Sequence, residues 1–166
     1  MVPVTDTPEN PHVLLTRRAS HMKTHGGQVA FPGGMRDKSD ASLLATALRE
    51  TEEEIGLPSS RVQIIAALSQ VSSLHRILVT PYVGIVPEDH PYQADPREIE
   101  SIFQVPVSFF LEDRRERTDV IPFMGKTLHV PCYRWQDYQI WGLSAVVLVD
   151  FLNAAFDAGI EIMPSA

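Results

Sequence analysis

With 166 residues, the chain is long enough for one domain with a substantial core. Apolar residues make up 44% and charged residues 21%, the balance of an ordinary globular protein. A net charge of −7 argues against nonspecific binding to nucleic acid or to an anionic membrane, so a phosphorylated ligand would need a local basic patch or a metal ion.

In chain order, Val2 to Val4 and His12 to Thr16 read as short strands around the polar turn "TDTPENP". A chain that opens almost inside a strand suggests natural sequence upstream. The turn-rich stretch "SHMKTHGGQVAFPGGMRDKSD" brackets one apolar segment, Val29 to Phe31. Ser39 or Asp40 is placed to cap a helix from about Ala41 to Ile55, stopped by Gly56 and Pro58. Val62 to Leu68 and Ile77 to Val86 read as strands, and "PEDHPYQADPREIE" as a proline-rich acidic loop. Val107 to Glu112 suits a helical turn, followed by a solvated "DRRER". Thr118 to Phe123 and Lys126 to Val130 pair as a hairpin around "MG". Ser144 is placed to cap a last helix with Leu148, Phe151, Leu152 and Ala155 on its apolar face, ended by Gly159. The apolar run Ala145 to Val149, which no other run exceeds, is too short to span a bilayer, and the first residues have no basic-then-apolar leader pattern. The single cysteine, Cys132, excludes a disulfide framework, fits a reducing cytoplasm and reads as a small buried residue. Strands interleaved with a few helices indicate an α/β or α+β sandwich in a single domain, residues 1–166.

The first helix poses the chemical question. "LRETEEEIGL" sets Glu50, Glu52, Glu53 and Glu54 at a helix C-terminus, where the macrodipole is already negative and like charges repel. At about 100° per residue, Leu44, Leu48, Thr51 and Ile55 form one stripe that reads as the buried face. Glu50, Glu53 and Glu54 fall together on the far side and Glu52 lies apart. Three convergent carboxylates suit a hard divalent cation such as Mg²⁺, which takes oxygen ligands. Arg49 is placed to orient or neutralise one of them. Upstream, "FPGG" (Phe31 to Gly34) lets backbone approach a metal or phosphate closely.

Together, "FPGG", Arg49, Glu50, Glu53, Glu54, Gly56 and Leu57 resemble the Nudix box. Two positions depart from it. Thr51 stands at an apolar position, and the spacing upstream is shifted, so that Ala41 and Met35 occupy the expected acidic and glycine places and Asp40 and Gly34 are the nearest equivalents. A second stretch, "LLTRRASHMKTHGGQVAFPGG" (Leu14 to Gly34), is similar to the signature of coenzyme A pyrophosphatases within that family. It packs Arg17, Arg18, His21, Lys23 and His25 into nine positions, a cationic patch suited to polyphosphate.

The resemblance implies a Nudix fold, an α/β/α sandwich with a mixed sheet. It implies hydrolysis of CoA or an acyl-CoA to 3′,5′-ADP and 4′-phosphopantetheine, with Mg²⁺ or Mn²⁺ as cofactor. Glu50, Glu53 and Glu54 are the expected metal ligands with a carbonyl of Gly33 or Gly34. Glu50, Glu53 and Arg49 are the expected catalytic residues, and Arg18 and Lys23 the phosphate contacts. One of the glutamates, or Asp95, Glu98 or Glu100, would serve as general base. His21, His25 and His75 read as structural or exposed more than as substrate contacts. No nucleic-acid or membrane partner is expected, and a homodimer stays open. The alternatives are a Nudix hydrolase of ADP-ribose or a nucleoside triphosphate, and a Nudix-fold binding module without catalysis.

Overall fold

The computed structural model describes residues 1–163. Its strands are β1 (Val2–Thr5), β2 (His12–Arg18), β3 (Val29–Ala30), β4 (Gln63–Ala67), β5 (Val71–Ser72), β6 (Leu78–Val79), β7 (Tyr82–Val86), β8 (Ile99–Pro106), β9 (Arg115–Phe123), β10 (Lys126–Trp135) and β11 (Tyr138–Ile140). Its helices are α1 (Leu43–Ile55), α2 (Val107–Leu111) and α3 (Gly142–Phe156).

The main sheet runs β3-β2-β1-β7-β4, with β8 pairing β2. It is mixed, because β1 and β7 are parallel while their other pairings are antiparallel. β8 lies along β2 from His12 to Arg18, so β1 and β3 share the opposite edge of β2, one beyond the other. A second antiparallel sheet runs β11-β10-β9, and β5 and β6 form a separate small hairpin.

Period-two alternation assigns the two faces of the main sheet. On β2, Val13 and Leu15 join the larger core with Val2, Val105, Phe110, Tyr133, Leu148 and Leu152. Leu14 points to the other face, where Ile55, Leu57 and Val86 form a smaller cluster under the end of α1. Burying each of these side chains contributes roughly 1.5–3 kcal/mol. The result is the expected α+β arrangement, with a mixed sheet between helices.

The structure shifts several expected boundaries. α1 begins at Leu43, and its cap is Ser42, whose Oγ accepts from the Ala45 amide at 3.1 Å. Neither Ser39 nor Asp40 caps it. Ile77 to Val86 is not one strand, because Pro81, which has no N–H to give a ladder, separates β6 from β7. Ile99 and Glu100, read as loop, open the eight-residue β8. The first half of "DRRER" is a turn, but Arg115 already starts β9. α3 starts at Gly142, and the Ser144 hydroxyl donates instead to the Val29 carbonyl at 3.0 Å, tying α3 to β3. Asp157, in the left-handed region at φ 52°, ends α3 in place of Gly159. Ala155 is exposed; beyond the helix, Ile160 fills that part of the core, fixed by two hydrogen bonds to Asn153. Cys132 is free and buried, as expected. Among the described residues, no helix is long and apolar enough to cross a membrane.

Candidate active site

One end of the main sheet gathers the residues of interest. Val2 pairs with Val83, and the Met1 amine donates to the Pro32 carbonyl at 2.8 Å, so "FPGG" sits where β1 begins. β2 ends there at Arg18, which pairs with Ile99 at the start of β8. α1 lies across this end, terminated by Gly56 at φ 69°, whose amide donates to the Glu52 carbonyl.

The buried side of α1 is rotated from the expected stripe. Thr46, Ala47, Thr51, Glu54 and Ile55 are buried, while Leu44 and Leu48 are only half-buried. The arc therefore turns toward the carboxylates, because the "FPGG" segment covers that side. Glu54 is 3% exposed. Its Oε2 accepts from the Gly33 amide at 3.0 Å, and its Oε1 lies 3.8 Å from Arg18 Nη1. Burial pushes its pKa up to about 7; the Gly33 bond and Arg18 oppose the shift, and the charges of Glu50 and Glu98 reinforce it. Glu50 is half-buried, and burial raises its pKa against the pull of Arg49. Its carboxylate lies against Gly34, where an added Cβ would sit 2.5 Å from it. Glycine at 34 is thus a condition for Glu50 to lie where it does. Glu53 is exposed, and so is Glu52.

Arg49 ties the cluster together. Its Nη1 donates to Glu50 Oε1 at 3.1 Å and to Glu53 Oε2 at 3.0 Å, and its Nη2 to the Met35 carbonyl at 3.2 Å. Its Nε and Nη2 both donate to Asp40 at 2.9 Å. Asp40 is buried and also accepts from Thr46 Oγ1 and the Asp37 amide. Arg49 holds the Asp40 carboxyl far below the usual carboxylate range. In the sequence Asp40 is the nearest acid to the box position, and nothing in the spacing marks it as the anchor of Arg49. The Thr51 hydroxyl is satisfied by the Ala47 carbonyl at 2.7 Å, so a polar residue is tolerated in this buried position.

The three acids of the following loop separate. Asp95 is ion-paired with Arg97, chiefly through side-chain hydrogen bonds that hold its pKa at about 2, and its own amide donates to the Glu54 carbonyl. Glu100 is exposed and accepts from Ser20. Glu98 is half-buried, and its charge raises the pKa of both Glu50 and Glu54. Of the three, it is the one drawn to the cluster.

The basic stretch divides as well. Arg17 is committed to Asp137 at 2.8 Å and to the face of Tyr138. Arg18 reaches Glu54, and Lys23 stands exposed on the loop of residues 19–28. His21 bonds the Arg97 carbonyl, and His25 bonds Gln28.

The donor set of Glu50, Glu53, Glu54 and the backbone at Gly34 is all oxygen, the chemistry that a hard divalent cation requires. Among the described residues, no three His, Cys, Asp or Glu side chains are gathered closely enough to hold a metal ion between them. Arg49 Nη1 draws both Glu50 and Glu53 to itself, while Glu54 turns to the Gly33 amide.

The NUDIX domain family matches residues 1–123. The chain is 44% identical over 140 residues to a protein of Enterobacter sp. (strain 638) described as the uncharacterized Nudix hydrolase NudL, covering 84% of this chain and 73% of that one. It is 40% identical over 148 residues to NudL of Escherichia coli O1:K1 / APEC, covering 89% and 77%. Among solved structures, a MutT/nudix family protein from Enterococcus faecalis is similar with a TM-score of 0.56 at 16% identity, over 94% of this chain and 61% of that one. A C. elegans Ap4A hydrolase in a binary complex is similar with a TM-score of 0.55 at 15% identity, over 67% and 80%. These two likenesses concern the fold. Taken with the glutamate helix under "FPGG", the matched region and the identity to NudL mean that the chain belongs to the Nudix hydrolase family.

Proposed function

We propose that this protein is a divalent-metal-dependent hydrolase of the diphosphate in coenzyme A and its acyl derivatives, acting in the cytoplasm. Water attacks one phosphorus, the bridging P–O bond breaks, and the products are 3′,5′-ADP and 4′-phosphopantetheine. The observation that carries the reading is Arg18. It reaches buried Glu54 at the root of a basic loop, so a cation and the acidic helix meet at one point. The "LLTRRASHMKTHGGQVAFPGG" resemblance supports the same substrate.

Glu50, Glu53 and Glu54, with the Gly34 carbonyl, would hold Mg²⁺ or Mn²⁺. A bound divalent cation supplies charge neutralisation at the diphosphate and lowers the pKa of the attacking water. Arg49 keeps Glu50 and Glu53 side by side and is itself held by Asp40. Among the loop candidates, Glu98 is the proposed acceptor of the proton of water; its charge acts on both Glu50 and Glu54. Arg18 and Lys23 contact phosphate.

The test is a panel of CoA, acetyl-CoA, dephospho-CoA, ADP-ribose and deoxynucleoside triphosphates with Mg²⁺ or Mn²⁺, with products identified. The expected outcome is the highest kcat/KM for CoA or an acyl-CoA, with 3′,5′-ADP released. A much higher kcat/KM for ADP-ribose or a triphosphate would refute the substrate, and no turnover of any member with either metal would favour a binding module.

A further inference from the structure

A second loop meets the basic loop at the same end of the sheet. β5 and β6 prolong the β4–β7 pair beyond Ala67 and Tyr82, and Leu68 donates to the Pro81 carbonyl at the junction. Tyr82 neighbours Val83, which pairs with Val2, and β1 begins at "FPGG". The topology therefore carries the β5–β6 turn to the end of the sheet that holds α1, Arg18 and Glu98. Side chains complete the approach. The ring of His75, on this turn, meets the ring of His25, on the loop of residues 19–28, edge to face with centroids 6.1 Å apart.

The turn is well formed. The Ser73 amide donates to the Ile77 carbonyl and the Arg76 amide to the Ser73 carbonyl, both at 2.9 Å, while Ser73 Oγ accepts from the Ile77 amide. The opposite loop is closed by Arg18 and Gln28 and by Gly27 and Arg18. Gly26 allows the tight path, since a Cβ there would lie 2.8 Å from the Ser20 carbonyl. Two ordered loops thus hold His75 against His25.

Charge sets these loops apart from the rest of the molecule. The chain has 21 acidic residues, yet none lies from Asn10 to Arg36 or from Ile55 to Pro87. Carboxylates from elsewhere reach these segments at Arg17 (Asp137), at Arg18 and the Gly33 amide (Glu54), at Ser20 (Glu100) and at the Ser69 amide (Asp150). Most arginines here are paired with carboxylates, but among the described residues neither Arg76 nor Lys23 has an ion-pair partner. His25 Nδ1 is engaged by Gln28 Oε1 at 2.9 Å, which leaves Nε2 to face a ligand. The two imidazoles meet, Lys23 lies two residues from His25 and Arg76 follows His75, and imidazole, guanidinium and ammonium are the groups that recognise a dianionic phosphomonoester.

We propose that the β5–β6 turn, through His75 and Arg76, joins His25 and Lys23 in a subsite for a terminal phosphomonoester of the substrate, separate from the diphosphate that is cleaved. This rests on the reading of the protein as a hydrolase of a CoA-type diphosphate, and it names the group that reads the 3′-phosphate. Binding there stabilises substrate and transition state equally, so its loss raises KM and leaves kcat alone.

The decisive comparison is CoA against dephospho-CoA, which differ only in that phosphomonoester, using His75→Gln and Arg76→Gln. Both keep a Cβ, so the left-handed backbone of Arg76 at φ 61° gains no new strain. Each variant should lower kcat/KM for CoA about tenfold, through KM, and leave dephospho-CoA unchanged. Equal losses on both substrates, or none on either, would overturn the subsite. If the parent protein turns over neither compound, the proposed activity fails, and the subsite is judged by calorimetry with 3′,5′-ADP and 5′-AMP. Tighter binding of 3′,5′-ADP that is abolished in His75→Gln sustains it; equal affinities refute it.

Discussion

An aspartate just ahead of a helix is ordinarily taken as its cap. Asp40 stands two places before the cap Ser42, and its carboxylate is spent on Arg49, Thr46 and the Asp37 amide. Sequence could not separate the two roles, because both need a short acid at nearly the same position. The glutamates themselves were legible, since the helical period fixes their relative angles. That Glu54 would be buried was not, because burial depends on the Gly33 amide arriving from twenty-one residues away. Asp40→Asn should remove the charge that holds Arg49 and release Glu50 and Glu53 from a common guanidinium. A loss of about 10–100-fold in kcat is expected, the usual effect of removing a partner behind a ligand. Initial rates at saturating metal provide the measurement; a parent-like kcat would show that Arg49 keeps its place without Asp40.

At the scale of elements, what was read well has a local cause. α1 has a sharp stop at Gly56, and the β9–β10 pair folds around "MG", where Met124 and Gly125 both adopt positive φ. β8 is hidden in the sequence because the acidic, proline-rich residues before it mask the alternation of "IESIFQVP", and its pairing with β2 is long-range. β11 was missed because three residues carry too little pattern. The contact between α1 and "FPGG" gives an element-level prediction. Gly34 does not lie in the left-handed region, so Gly34→Ala strains no backbone, but its Cβ would collide with the Glu50 carboxylate. Moving that carboxylate by about 1 Å is expected to cost roughly 100-fold in kcat with helix content unchanged. Circular dichroism and initial rates test this, with Thr51→Val as a control that should keep full activity. If Gly34→Ala is as active as the control, Glu50 does not need its seat on Gly34.

The stability of the whole molecule should record the carboxylate that α1 buries. A carboxyl whose pKa rises on folding favours the fold while protonated and costs stability as pH climbs through the folded value. For Glu54 the window runs from the ordinary 4.5 to about 7. With EDTA present, the thermal midpoint should fall across that window by an amount equivalent to roughly 2–3 kcal/mol, several degrees for a chain of this size. Glu54→Gln should flatten the decline, and Mg²⁺ should stabilise the parent more than the variant. Superimposable pH profiles of parent and variant in EDTA would contradict the burial of an ionised Glu54. The parallel pairing of β1 with β7 has a different consequence, in the order of assembly. β1 lies inside the main sheet, yet its partner begins at residue 82, and α1 falls between them in the chain. As synthesis proceeds, β1 can pair only with β2 until Tyr82–Val86 has emerged, and closing so long a loop is entropically slow. The seam between β1 and β7 is also the end of the sheet against which "FPGG" and the glutamate helix are set. The catalytic geometry is thus completed late, and a ribosome-bound chain that stops short of β7 has the acidic helix in its sequence but not the wall that turns it into a site.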